Sequence, residues 1–235
     1  MLMRVIIIGG GAAGVTAATR LRRLDENVEI IIFEQNNALA VSNCGLLYYL
    51  SNEVKDAEEL VNTTPESLKR QYNIDARLNS EVEFINRDEK SITIKGKGKE
   101  YYDKLIFTIG AYQLRPDIDG VLAEQVFTIR DLTSIEKIKS YIKDLEPAKA
   151  IIVGGGYIGI EAAEALHKLK IDVSVIEASD QILSNDFDYE MAAGIQNLLR
   201  DKGIKIYLET TVEAFGDKSA SLSNGHQLDY DIAII

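Results

Sequence analysis

Short apolar runs alternate with longer amphipathic stretches along the first part of the chain. Val5–Ile8 is a continuous apolar run, typical of a strand that is buried on both faces of a parallel sheet. The stretch from about Ala12 to Leu24 places small or apolar residues at helical spacing, and a second apolar run covers Val28–Phe33. Strand, helix and strand within about 30 residues predict a βαβ unit with parallel strands.

The same order of segments returns in the second half of the chain. Ala150–Val153 predicts a strand, Tyr157–Lys170 a helix and Asp172–Ile176 a second strand. Three further helices are predicted from about Pro65 after a Thr64 cap, over Leu132–Leu145 and over Asp188–Lys202.

Short runs of alternating polarity follow each βαβ unit. They predict small antiparallel excursions, because such strands bury one face and solvate the other. Residues 39–62 are predicted to be irregular, apart from a helix that could start near Gly45. The predicted strands lie near Glu81–Ile85, Ser91–Ile94, Val212–Phe215 and Ser219–Leu222, with a return strand over Lys104–Thr108.

The two βαβ units are copies of one pattern. A constant offset of 145 residues relates the GxGxxG turn of the first unit to that of the second. The offset shortens to 143 at the acidic residues that end the second strands, Glu34 and Glu177. A repeat of this length indicates two similar domains rather than a solenoid. The matched glycines are Gly9, Gly11 and Gly14 in the first unit and Gly154, Gly156 and Gly159 in the second.

Each glycine turn follows an apolar strand and opens a helix, which is the context that dinucleotide binding requires. The first glycine permits the tight turn, the second lets a pyrophosphate approach the backbone, and the third lets the helix pack close to the strand. The helix N-terminus offers free N–H groups and a positive dipole to the phosphates. Glu34 and Glu177 can each accept hydrogen bonds from both hydroxyls of an adenosine ribose.

Two such turns predict two dinucleotides, and the common pair is a flavin with a nicotinamide, since hydride passes between them. Glu177 would repel a 2′-phosphate, and no arginine adjoins it, so NADH is favoured over NADPH. The predicted fold class is α/β: two Rossmann-like dinucleotide-binding domains with parallel sheets and a small antiparallel β excursion in each. The predicted domains are residues 1–112 for FAD and residues 113–235 for NAD(P)H.

Composition narrows the classes of function. The 235 residues carry a formal net charge of −11, so nucleic-acid binding is not expected. We expect no signal peptide and no membrane partner, because no apolar run approaches the length of a spanning helix. A single cysteine allows no intrachain disulfide and favours a reducing cytoplasm. The two histidines, His167 and His226, belong to no metal-ligand pattern, and no metal is predicted.

The lone cysteine, Cys44, lies in the segment SNCGLLYY, shortly after the first βαβ unit. A helix that starts near Gly45 would place the sulfur at a positive helix end and favour the thiolate. A lone cysteine in a cytosolic protein is usually a small buried hydrophobe, and this alternative stays open. The position of Cys44 behind the strand that would hold the ribose of a flavin favours a redox role.

Together these motifs resemble the pyridine nucleotide–disulfide oxidoreductase superfamily of FAD-dependent enzymes. More narrowly they resemble its single-cysteine branch, which contains coenzyme A–disulfide reductases, NADH oxidases and NADH peroxidases. The resemblance covers essentially the whole chain. It is carried by GGGAAG with Glu34, SNCGLLYY, TIGA, FTIRDL, GGGYIG with Glu161 and Glu177, and LDYDIAII.

The resemblance implies that the first turn holds FAD and that the second holds the nicotinamide dinucleotide. It implies that Tyr157 gates the nicotinamide pocket and that Glu161 lies near it; an aromatic packed at a helix start and a plain surface carboxylate are the alternatives. The other cofactor-binding residues that it implies are Ala12, Ala13, Gln35, Asn43, Cys44, Val82, Thr108, Ile109, Gly110, Ala111, Arg130 and Ile158.

Within the branch, the Asn43-Cys44 pair resembles the coenzyme A–disulfide reductases. The resemblance implies that Arg20 and Arg23, with Asn43, contact a coenzyme A substrate, because guanidinium groups suit phosphate. A solvated basic helix face is the alternative.

Three positions depart from the patterns of the branch. Ala12 stands where peroxidases and many oxidases place a histidine, which argues against peroxide chemistry. Leu47 replaces a proline, and Ala40 replaces a serine that touches coenzyme A, so both weigh against the thiol substrate.

The expected activity passes hydride from NADH through FAD to Cys44, which reduces a low-molecular-weight disulfide or persulfide of the coenzyme A type. One alternative is an NADH oxidase, in which oxygen is the acceptor and Cys44 cycles through a sulfenate. Another is a non-catalytic nucleotide-binding fragment, since the apolar run at the end predicts an N-terminal piece of a longer chain. The resemblance implies that such a longer chain would add the returning segment of the first domain and a C-terminal domain that forms a homodimer.

Overall fold

A computed structural model describes residues 2–235. The chain folds into two compact units. Unit 1 contains the residues up to Asn43 together with Asp56–Tyr112, and unit 2 contains Cys44–Lys55 together with Gln113–Ile235. The short stretch that carries Cys44 therefore packs as part of unit 2, although it lies in the chain between two segments of unit 1.

The elements follow in chain order, with labels that are used below. The first half contains β1 (Arg4–Ile8), α1 (Ala12–Leu24), β2 (Glu29–Phe33), β3 (Leu39–Val41), α2 (Leu46–Leu50), β4 (Val61–Thr63), α3 (Pro65–Tyr72), β5 (Asp75–Arg77), β6 (Val82–Asn86), β7 (Ser91–Ile94), β8 (Gly98–Tyr101) and β9 (Lys104–Phe107). The second half contains β10 (Val126–Phe127), α4 (Leu132–Leu145), β11 (Lys149–Val153), α5 (Tyr157–Lys168), β12 (Asp172–Ile176), α6 (Tyr189–Asp201), β13 (Lys205–Tyr207), β14 (Val212–Phe215), β15 (Ser219–Leu222), β16 (Gln227–Asp229) and β17 (Ile232–Ile234).

Unit 1 is built on a parallel sheet of order β5–β2–β1–β9 that is covered on both faces. On one face, Val5 and Ile7 of β1 share a core with Ala18 of α1 and Leu68 of α3. On the other face, alternate residues of β1 and β2 pack against the antiparallel sheet β6–β7–β8, through Ile92 and Ile94. Burial on both faces explains why β1 is a continuous apolar run rather than an alternating one.

Unit 2 is built on a parallel sheet of order β10–β17–β11–β12–β13. Helix α5 packs against β11 and β12. The sheet shares a core with the antiparallel sheet β14–β15–β16, in which the rings of Phe215 and Tyr230 meet edge to face at 5.7 Å between centroids. Unit 2 therefore repeats the layers of unit 1.

The repeat extends beyond the βαβ units. Strands β5–β9 of unit 1 correspond in order and pairing to β13–β17 of unit 2. Even single contacts recur: Asp103 Oδ2 accepts from Arg4 N at 2.6 Å, and Asp231 Oδ2 accepts from Lys149 N at 2.9 Å. These contacts tie β9 to β1 and β17 to β11. The duplication that the sequence shows over two βαβ units thus covers two complete α/β units.

The predicted α/β class is confirmed, with a parallel and a small antiparallel sheet in each unit. Thr64 caps α3 as predicted, its hydroxyl oxygen accepting from Ser67 N at 3.2 Å. Residues 39–62 contain α2, which begins at Leu46 close to the predicted start near Gly45, and they also contain β3, two 3₁₀ turns and the first part of β4, which were not predicted. Elements of three to five residues depend on pairing and packing with distant segments, so local periodicity does not reveal them.

Candidate functional site

The first glycine turn, between β1 and α1, is packed tightly within unit 1. Gly9 has a φ of +101°, in the left-handed region, and a Cβ there would collide with the carbonyl oxygen of Thr108. The Thr108 hydroxyl donates to the carbonyl oxygens of Ile8 and Gly9 at 3.0 and 2.9 Å. A Cβ at Gly14 would collide with the Gly9 carbonyl oxygen, so α1 reaches the strand closely only because this residue is glycine.

The second glycine turn, between β11 and α5, has the same geometry. Gly154 has a φ of +103°, and its N–H donates to the carbonyl oxygen of Ile176 at 2.8 Å. A Cβ at Gly159 would collide with the Gly154 carbonyl oxygen. The first and third glycines of both turns are therefore required by the fold of the protein itself.

The second glycines of the two turns, Gly11 and Gly156, are different. Gly11 has φ −68° and ψ −174°, and Gly156 has φ −77° and ψ −177°, conformations that any residue adopts. A Cβ at either position would meet no atom within 4 Å. Neither backbone strain nor packing requires glycine here. The open space lies at the N-termini of α1 and α5, where a pyrophosphate would approach, so both turns fit a dinucleotide.

Glu34 holds the first turn from the end of β2. Its Oε2 accepts from Gly10 N at 2.7 Å, and its Oε1 accepts from Asn36 N at 2.8 Å. The side chain is buried. A carboxylate has about four acceptor sites, so two backbone donors leave capacity for the two hydroxyls of a ribose.

Glu177 holds the second turn in the same way. Its Oε2 accepts from Gly155 N at 2.6 Å, and its Oε1 accepts from Ser179 N at 2.7 Å. Burial pushes the pKa of Glu177 upward, but hydrogen bonds from the backbone of Ser179 and Gly155 outweigh it, so the pKa lies below its ordinary value. The carboxylate is therefore held ionised and oriented.

The middle glycine of each turn is also held from its carbonyl side. The Gly10 oxygen accepts from Ala40 N at 2.8 Å, and the Gly155 oxygen accepts from Leu183 N at 2.9 Å. Ala40 and Leu183 have φ values of +45° and +52°, which cost a non-glycine residue about 1–3 kcal/mol. This contact was missed by sequence reasoning. The only signal is that the 143-residue offset of the two glutamates also relates these residues.

Cys44 is exposed, in a 3₁₀ turn over Asn43–Gly45. Helix α2 begins at the next residue, Leu46, with Gly45 as its N-cap residue. The alternative of a small buried hydrophobe does not hold, because the sulfur-bearing residue is accessible to small molecules.

Tyr157 opens α5, and its side chain is 54% exposed. Its ring meets that of Phe187 edge to face at 6.3 Å between centroids. Glu161 is exposed one turn further along α5. Both the gate and the packing alternatives for Tyr157 are compatible with this contact.

The other predicted cofactor residues lie at turn and strand ends. In unit 1, Ala12, Ala13 and Gln35 are exposed, Val82 begins β6, Asn43 ends the first of the unit's two chain segments, and Ile109, Gly110 and Ala111 follow Thr108 after β9. In unit 2, Ile158 is exposed in the first turn of α5, and Arg130 precedes the Asp131 cap of α4.

The arginines of α1 divide into two kinds. Arg20 and Arg23 are exposed, as a phosphate contact or a solvated face both require. Arg22 is buried and donates to four carbonyl oxygens, those of Glu26 at 2.6 Å, Tyr72 at 2.8 Å, Asn73 at 3.2 Å and Asp25 at 3.3 Å. Arg22 therefore joins the C-terminal ends of α1 and α3 and is structural.

Two observations concern residues 2–235 as a whole. None of the helices there combines the length and the apolar content that crossing a bilayer demands. Over the same residues, no group of three or more His, Cys, Asp or Glu side chains is placed to hold a metal ion.

The duplicated α/β fold, with an open glycine turn and a carboxylate behind it in each unit, is that of the FAD- and NAD-binding oxidoreductases. The family model for pyridine nucleotide-disulphide oxidoreductases matches residues 3–235. The chain belongs to this family.

Two curated relatives and one solved structure show which members of the family this chain is similar to. The chain is 34% identical, over 99% of its length, to an NADH oxidase of Methanocaldococcus jannaschii and 30% identical, over 99%, to a coenzyme A disulfide reductase of Staphylococcus haemolyticus. It covers 54% and 53% of those proteins. The structure of an NAD-dependent persulfide reductase from A. fulgidus superposes with a TM-score of 0.93 at 34% identity, over 99% of this chain and 45% of that one. The chain spans about half the length of the curated relatives it matches.

Proposed function

We propose that this chain supplies the two dinucleotide sites and the redox-active cysteine of an FAD-dependent, NADH-oxidising enzyme. The observation that carries the proposal is the open space in front of Gly11 and Gly156, at two turns whose other glycines are fixed by close packing or, at Gly154, by a left-handed backbone conformation. By the family resemblance, FAD is assigned to the first turn and NADH to the second. Glu177 disfavours NADPH, because its ionised carboxylate would face the 2′-phosphate.

The proposed substrate is a low-molecular-weight disulfide or persulfide of the coenzyme A type. When bound, the flavin would relay the electron pair of the nicotinamide hydride to sulfur. The Cys44 thiolate attacks one sulfur of the disulfide, forms a mixed disulfide and releases the other sulfur as a thiol. Two electrons from NADH then cleave the mixed disulfide, so one NADH and one proton give two thiols and NAD⁺ for each disulfide. The exposure of Cys44 supports this role, since a small disulfide must reach the sulfur.

Coenzyme A is favoured as the carrier of the sulfur by two observations. Arg20 and Arg23 are exposed on α1, where their guanidinium groups can meet phosphates. A relative that is 30% identical is named a coenzyme A disulfide reductase. Asn43, directly before Cys44, completes the proposed substrate contacts.

An NADH oxidase is the second candidate, because the relative from Methanocaldococcus jannaschii carries that name. In this case oxygen accepts the electrons and Cys44 cycles through a sulfenate.

The decisive experiment compares the two acceptors in one preparation. NADH consumption is measured anaerobically with coenzyme A disulfide, and oxygen uptake is measured without it, for the wild-type protein and for Cys44→Ser. We expect anaerobic disulfide reduction that Cys44→Ser abolishes at an unchanged melting temperature. Rapid oxygen uptake with no disulfide reduction would favour the oxidase, and disulfide reduction by Cys44→Ser at the wild-type rate would refute the thiol mechanism. A stoichiometric flavin absorption band would exclude the non-catalytic fragment.

A further inference from the structure

Helix α2, which directly follows the Cys44 turn, is too short to form by itself. It has five residues, whereas isolated helices of fewer than about 12 residues are marginal in water. Leu46, Leu47 and Leu50 are buried, and the helix packs against α4 and α5 within unit 2. The conformation of the Cys44 turn therefore depends on what holds α2 in place.

Lys139 of α4 closes the C-terminal end of α2. Its Nζ donates to the Tyr49 carbonyl oxygen at 2.6 Å and to Asn52 Oδ1 at 2.7 Å. The same ammonium stands 4.1 Å from the centroid of the Tyr49 ring. Carbonyl oxygens in the last turn of a helix lack intrahelical partners, and a cation there also complements the helix dipole. Burial lowers the pKa of Lys139, because the ammonium loses part of its hydration.

A second lysine anchors the segment beyond α2. Lys168, at the end of α5, pairs with Glu53 at 2.6 Å and with Glu164 of its own helix at 3.1 Å. These side chains are substantially exposed, and exposed ion pairs contribute little to stability. Of the two anchors, Lys139 therefore has the larger part.

We propose that Lys139 is a positioning residue for Cys44. By holding Tyr49 and Asn52, it fixes α2 against unit 2 and so fixes the turn that carries the sulfur. The inference rests on the proposed redox role of Cys44, and it adds a residue that acts through α2 rather than on the substrate.

The test uses Lys139→Met, Lys139→Arg and the matched control Lys137→Met, whose lysine is exposed two residues earlier on α4. The first readout is amide hydrogen exchange at Ser51, Glu53 and Val54, whose N–H groups donate back to α2 carbonyls. Loss of a charged hydrogen bond corresponds to about 10- to 100-fold faster exchange. We expect this in Lys139→Met, no change in Lys137→Met and partial recovery in Lys139→Arg, which keeps a cationic donor.

The second readout is steady-state disulfide reduction by the same variants. We expect kcat to fall in Lys139→Met while KM for NADH stays at the wild-type value, with recovery in Lys139→Arg. Wild-type exchange in Lys139→Met, or an arginine variant no better than the methionine variant, would overturn the inference. If Cys44→Ser retained turnover, the proposed function would fail instead, and exchange at Ser51–Val54 would still decide whether Lys139 orders the Cys44 segment.

Discussion

Replacing glycine by alanine should have opposite consequences at two positions of the second turn. At Gly156 the new methyl group meets no atom within 4 Å, and the backbone conformation suits alanine. The lost N-cap preference for glycine and the reduced entropy of the unfolded chain are each worth about 1 kcal/mol and oppose each other. The free energy of unfolding should therefore change by less than about 1 kcal/mol.

At Gly159 the methyl group would collide with the Gly154 carbonyl oxygen and would stand 3.1 Å from its carbonyl carbon. Both are backbone atoms, so α5 must move away from β11. Overpacking of this kind costs about 1–3 kcal/mol, which lowers the melting temperature of a chain of this size by roughly 2–12 °C.

For NADH affinity, the clear prediction concerns Gly156→Ala rather than Gly159→Ala. The Gly156→Ala methyl group occupies the space assigned to the pyrophosphate, so NADH affinity should fall about 10- to 100-fold, the loss of one charged hydrogen bond or more. Isothermal titration calorimetry measures the NADH affinity of both variants, and thermal unfolding measures their melting temperatures. If Gly156→Ala bound NADH like the wild type, the open space would not be the phosphate site. If Gly159→Ala kept the wild-type melting temperature, the inferred close packing of α5 against the Gly154 carbonyl oxygen would be refuted.

Two further predictions concern charged groups that the fold holds. Glu177→Gln should lower the free energy of unfolding at pH 7 by about 1–3 kcal/mol, because an amide cannot accept from both Gly155 N and Ser179 N. The pKa of Glu177 in the folded protein lies below 4.5. In urea unfolding, the free-energy difference between wild type and Glu177→Gln should therefore be complete above pH 4.5 and shrink as the pH falls further. A free-energy difference that grew in acid would contradict this prediction. In urea unfolding, Arg22→Met should lower the free energy of unfolding by about 2–4 kcal/mol, because four carbonyl oxygens lose their donor. The control Arg23→Met, at an exposed position, should have a free energy of unfolding within about 0.5 kcal/mol of the wild type.

Sequence patterns predicted the elements that are determined by residues close together in the chain. Helices α1 and α4 have the predicted bounds, since both show strong helical spacing and α4 also begins at the Asp131 cap. The glycine turns were equally visible, because the residue type itself reports a steric demand. Both kinds of feature can be identified from a few consecutive residues.

Features that depend on distant partners were not visible. Arg22 and Arg23 are neighbours of one type, and Arg22 alone of the two reaches the end of α3, which lies about 50 residues further along the chain. The left-handed conformations of Ala40 and Leu183 are imposed by hydrogen bonds to the glycine turns, against the preference of both residues. Lys139 was equally hidden, since its partners Tyr49 and Asn52 lie about 90 residues away in the chain.

The duplication also distinguishes the residues that form a glycine turn from those that determine which ligand it binds. Glycines and a glutamate recur in both units with the same hydrogen bonds, and they face the interior of the turn. The exposed face of the following helix has diverged: Ala12 and Thr16 of α1 correspond to Tyr157 and Glu161 of α5. A small, neutral face leaves room beside the first turn, whereas an aromatic and an acidic residue stand beside the second. The fold thus needs the first and third glycines and the glutamate of each turn, while the diverged residues are free to select different ligands for two otherwise equal turns.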